Sequence, residues 1–154
     1  MFPPFQLPRP ARSAHANLAK ATPENAGTIA KRMALAKSVH PDSDWLRDGL
    51  FMAWRYRIEI PEFEDKVKVA LKELNDHRAL CKQHGMGKVD AGGFTLRSLE
   101  KSHQWAVDRL ATQKEWSREA DQRYVAAYVE EDYGRRKYPH LAKNHELSHQ
   151  QQRS

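Results

Sequence analysis

A chain of 154 residues, 40% hydrophobic and 30% charged, is long enough to bury the core of one domain without metal or disulfide staples. Its single cysteine, Cys81, excludes an internal disulfide framework, and no apolar run approaches the ~18 residues of a membrane-spanning helix. The formal charge of +6 belongs to the ends: residues 1–23 carry +3 and residues 134–154 carry +4, so the body, 24–133, stands at −1 and is no basic nucleic-acid platform.

Four prolines among the first ten residues argue against helix there, and residues 1–21 read as an extended arm. The arm has no acidic residue and also reads as an organellar targeting segment. Thr22-Pro23 is a helix start, a hydroxyl cap followed by proline at the first helical position. The predicted helix runs to Val39, where His40-Pro41 ends it. Asp42 or Ser43 caps a second helix reaching Glu59, with Leu46, Leu50, Ala53 and Trp54 on its buried side. Its last residues, RYRIEI, alternate like a strand but have no partner strand, and so read as helix.

Pro61 opens a third helix, closed by Gly85, whose Phe63, Val67, Ala70, Leu74, His77 and Cys81 make an antiparallel packing seam. The glycine-rich stretch 85–94 reads as a flexible joint. From Thr95 a helical extension continues to 133, and a capping-box pattern at Thr112 to Glu115 predicts a break within it. A polar, basic tail occupies 134–154. The expectation is an all-α protein: an extended arm (1–21), an antiparallel three-helix core (22–84), a linker (85–94), a long C-terminal helical extension (95–133) and the tail.

His77, Cys81 and His84 share a helical face at metal-ligand spacing, but no second Cys/His group completes a set, so no metal is expected. GMGK lacks both the spacing and the preceding strand of a phosphate loop. No nucleophile–base–acid set emerges, and the chain reads as a non-enzyme. The basic residues Lys31, Arg32, Arg55 and Arg57 read either as solubilising charge or as a converging surface for an acidic partner.

AKRMAL (Ala30 to Leu35), FMAWRYRIE (Phe51 to Glu59) and VKVALKEL (Val67 to Leu74) together resemble the three-helix pattern of the LYR-motif family of small mitochondrial proteins, most of all its accessory subunits in the distal membrane arm of respiratory complex I. The motif's Leu and Tyr positions hold Ala30 and Lys31, and its Arg position holds Arg32. The resemblance implies a non-catalytic accessory subunit, peripheral on the matrix side of the mitochondrial inner membrane. Its partners would be an acyl carrier protein and neighbouring membrane-arm subunits. Lys31, Arg32, Arg55 and Arg57 would hold the acidic carrier. Ala26, Ile29, Ala30, Met33, Leu50, Ala53, Trp54, Leu71 and Leu74 would line a channel for the acyl chain on its phosphopantetheine arm, with no cofactor bound covalently to this chain.

Three other readings stay open. One is a LYR protein of another mitochondrial assembly. Another is a ribosomal or nucleic-acid-associated helical protein that binds through its basic termini, whose binding the isolated body 24–133 would lose. A virion or plasmid accessory helical protein fits the composition too.

Overall fold

The computed structural model describes residues 8–137. Residues 1–7 of the predicted arm and 138–154 of the predicted tail lie outside the described residues. The protein is all-α: α1 (Arg9–Leu18), α2 (Pro23–Ala26), α3 (Ile29–Val39), α4 (Asp44–His84), α5 (Met86–Val89) and α6 (Phe94–Lys137), with a 3-10 turn at Ala91–Gly93 before α6. Among the described residues there is no strand. Two compact units divide the chain. Among the described residues, one takes in 8–58 and 117–137, and the other is Glu59–Trp116.

Helix α1 lies where the proline count predicts extended chain. Pro8 stands just before the helix and Pro10 lies in its first turn, where a missing N–H costs nothing. Ala11, Ala14 and Leu18 then make one buried face. The C-terminal carbonyls of α1 are satisfied from α4: Trp54 Nε1 donates to the oxygens of Asn17 (3.2 Å) and Leu18 (3.1 Å).

Thr22 caps α2 through a reciprocal pair with Asn25, as the Thr-Pro signal predicts, but the predicted single helix to Val39 is two. Thr28 caps α3 by accepting from the Lys31 backbone N–H, and the break sits at Gly27, where an added Cβ would meet the Pro23 carbonyl oxygen. The termination at His40 and the Ser43 cap follow the sequence.

The first unit's core joins Ala14 and Leu18 of α1, Ala36 of α3, Leu46, Leu50, Ala53 and Trp54 of α4, and Ala120 and Tyr124 of α6. The second unit is a helical hairpin. Arg109 stacks over Phe63, Gln113 donates to Glu59 and Arg78 pairs with Glu100, a register that makes the arms antiparallel. The predicted seam holds: Phe63, Val67, Ala70 and His77 are half-buried, and Leu74 and Cys81 are buried.

Two predicted helix boundaries do not occur. Helix α4 passes through Pro61, so the second and third helices of the expected core are one continuous helix. The proline withholds one N–H from the Arg57 carbonyl, a penalty of about 3 kcal/mol in isolation. Tertiary contacts on each side offset it: Arg57 pairs with Asp121 in the first unit, and Glu59 and Phe63 are engaged in the second. Helix α6 likewise continues through Thr112, whose hydroxyl donates back to the Asp108 carbonyl instead of capping a new helix.

Candidate functional site

The basic residues nominated from sequence divide by use. Arg32 is buried: its Nε donates to the Ala26 carbonyl at 3.0 Å and its guanidinium lies 5.1 Å from the Phe51 ring centre. Arg57 donates to the Leu18 carbonyl and pairs with Asp121 at 2.8 Å, fastening α1 and α6 to α4. Lys31 and Arg55 are exposed, and Lys31 reaches the Glu24 carbonyl at 3.4 Å. The four do not form one surface; Arg32 and Arg57 are pieces of internal packing.

The nominated channel is not assembled either. Ala26, Leu50, Ala53 and Trp54 are fully buried in the first unit. Ile29 (72% exposed), Ala30 and Met33 face solvent. Leu71 and Leu74 belong to the second unit, one exposed and one buried. The small buried side chains Ala14, Ala36 and Ala53 let α1, α3 and α4 pack closely at the core.

A groove does exist in the first unit, on a neighbouring stripe. Trp45, Gly49, Met52 and Tyr56 recur at helical spacing along α4 and face Ala120, Tyr124 and Ala127 of α6 across a hollow of about 490 Å³. Gly49, with no side chain, and the two alanines make its depth; a Cβ on Gly49 would meet the Tyr124 ring at 3.7 Å. Trp45 stands 59% exposed. Asp48, Arg123 and Glu130 give the lining mixed charge. The periodic stripe was readable in the sequence, but Leu46, Leu50 and Trp54 beside it carry the stronger core signal.

Behind the groove Tyr124 is the centre of a buried polar network. Its hydroxyl accepts from Asn17 Nδ2 at 3.0 Å and lies 2.6 Å from His40 Nε2. His40 is pushed down to about 4, first by burial and then by Arg135, Lys20 and Arg47, so its neutral ring accepts the tyrosine proton. Burial also pushes the Tyr124 hydroxyl well above its usual range. Arg47 secures the turn before α4, donating to the carbonyls of His40 and Pro41 and to Asp44. A second hollow beside this network is lined by Lys20, Glu131, Asp132 and Arg135, but its acids are already paired: Glu131 with Ser43 and Arg135, Asp132 with Arg136.

In the second unit Asp90, a residue the sequence reading did not single out, joins His77 and Cys81. His84, the third member by spacing, is exposed on the last turn of α4. Asp90 accepts from the backbone N–H groups of Thr95 (3.1 Å) and Leu96 (2.8 Å) at the start of α6, and its Oδ2 lies 3.0 Å from His77 Nε2. The His77 contact first, then Leu96, holds its carboxyl down to about 2.

Comparison with protein-family models, curated proteins and solved structures finds no match for this chain. Among the described residues no helix is long and apolar enough to cross a membrane.

Proposed function

We propose that this protein is a non-catalytic docking subunit that binds an acyl carrier protein and receives its acyl chain in the α4/α6 groove. The observation that carries the reading is the groove itself: a hollow of about 490 Å³, lined by Trp45, Gly49, Met52 and Tyr56 against alanines and Tyr124. Each methylene seated there contributes about 0.8 kcal/mol. Lys31 and Arg55 are exposed and Arg123 lies in the groove lining, and cations so placed attract an acidic carrier, an attraction that sets orientation and on-rate more than affinity. The identity of the occupant rests on the resemblance to LYR-motif proteins. With it comes the place we assign the chain: an accessory subunit of respiratory complex I, peripheral on the matrix side of the mitochondrial inner membrane.

Titration of the purified chain with carrier protein bearing either an acylated or a bare phosphopantetheine arm tests the reading. Tighter binding of the acylated form, with a change in emission that the Trp45→Phe variant lacks, is expected. Gly49→Met, which fills the groove, weakens that binding at least tenfold. Equal, weak binding of both carrier forms overturns the acyl reading. Recovery of nucleic acid in a steeply salt-dependent complex replaces it with binding through the basic termini.

A further inference from the structure

We propose that His77, Cys81 and Asp90 form a binding site for one divalent metal ion of the zinc class, held by His77 Nε2, Cys81 Sγ and an Asp90 carboxylate oxygen, with water in the fourth position. The ligand atoms all lie within 4.8 Å of one another. Cys81 Sγ is 3.5 Å from His77 Nε2, and Asp90 Oδ2 is 3.0 Å from the same nitrogen. Tetrahedral zinc, with its bonds of about 2.0–2.3 Å, sets neighbouring N, O and S ligands roughly 3.3–3.6 Å apart. The two contacts to His77 therefore stand within a few tenths of an ångström of coordinating distance before any ion enters, and the Cys81–Asp90 pair, within 4.8 Å, closes on the ion.

The shared nitrogen discriminates between two uses of this trio. A cysteine–histidine–aspartate relay needs the thiol and the carboxylate on opposite ring nitrogens, so that a proton taken at one is balanced at the other. Here both contacts fall on Nε2, which is convergence on a point and not a relay.

The scaffold is also built for the purpose. His77 and Cys81 lie one turn apart on α4, and Asp90 is brought back to them by the joint. Gly85, Gly92 and Gly93 take the positive φ angles that turn requires. Two backbone N–H groups fix the carboxylate while leaving it lone pairs to spare. Binding takes Cys81 as thiolate, so the thiol proton leaves to solvent, and His77 binds as the neutral ring with its proton on Nδ1. The ion then displaces the two contacts of His77 Nε2, to Asp90 and to Cys81, and meets two negative charges that outweigh the positive end of α6.

The test uses the full-length chain, freed of metal by a chelator and titrated with cobalt(II) and zinc(II). One equivalent of cobalt should give a thiolate-to-metal charge-transfer band with visible bands of tetrahedral intensity, bleached by zinc. Cys81 is the chain's one thiol, so alkylation reads this site alone, and zinc should slow it at least tenfold. Cys81→Ser should abolish the charge-transfer band while helicity, read by circular dichroism, is retained; His84→Ala should leave the band intact. Metal that binds without a thiolate band, or alkylation indifferent to zinc, overturns the proposal and leaves the trio as a hydrogen-bonded clasp on the hairpin turn. The alkylation arm needs no variant, so a misfolded mutant does not blunt the test.

Discussion

His40 makes the stability of the first unit depend on pH with a definite sign. Its ring titrates near 4 in the folded chain, lowered by burial and by Arg135, Lys20 and Arg47, against 6.5 when unfolded. Between those values the unfolded chain holds a proton that the folded chain refuses, so stability rises with pH through the window. The contribution is complete above about pH 6.5, is lost as pH falls toward 4, and falls no further below that. After allowance for solvent screening it is about 2 kcal/mol. Urea denaturation at pH 4 and pH 7 should show most of this difference, and His40→Gln should flatten it. Tyr124→Phe tests the same network: it leaves Asn17 Nδ2 and His40 Nε2 without the hydroxyl between them and should cost about 1–3 kcal/mol. Gly49→Ala goes the other way. Its Cβ has room against the Tyr124 ring, so the gain in helix propensity should stabilise the chain by about 0.5–1 kcal/mol and leave most of the groove open.

At the scale of the element, α1 and Pro61 show what local signals capture. The buried face of α1 is written in Ala11, Ala14 and Leu18, yet proline density obscured it because only the positions of Pro8 and Pro10 relative to the helix start decide their effect. Trp54→Phe should cost about 2–3 kcal/mol and loosen α1 first, since it removes the donor to the Asn17 and Leu18 carbonyls and leaves a void in the core. Hydrogen exchange of the α1 amides reads this directly. Pro61→Ala restores the missing N–H in a helix that is continuous on both sides of it, and it should raise the thermal midpoint. A fall in the midpoint would mean that the proline matches a bend the packing requires.

For the whole molecule, the described part of the chain is not the near-neutral body with passive arms that charge counting implies. Residues 9–18 belong to the first unit's core, so a chain cut to 24–133 loses Ala14 and Leu18 and strips partners from Trp54 and Tyr124. Such a truncation should unfold that unit. Loss of partner binding by it would therefore not separate the two functional readings. Replacing Arg9, Arg12, Arg136 and Lys137 by glutamine in the full chain instead removes four exposed end charges while the buried core residues stay in place, and binding by that variant distinguishes groove docking from attachment through basic ends.

The sequence by itself determined the helical class, the caps at Thr22 and Ser43, the stops at His40 and Gly85, and the packing seam from Phe63 to Cys81. Each of these is a local pattern whose energy is settled within a turn or two of chain. Only the tertiary structure decided that α4 runs through Pro61 and that Arg32 and Arg57 serve the interior. It alone placed the groove on the Trp45 stripe and brought Asp90 to His77 and Cys81. Those outcomes depend on which distant groups meet: Tyr124 with His40 and Asn17, Asp121 with Arg57, Glu59 with Gln113. A buried polar group is held where its partner stands, and spacing along one helix does not tell where that is.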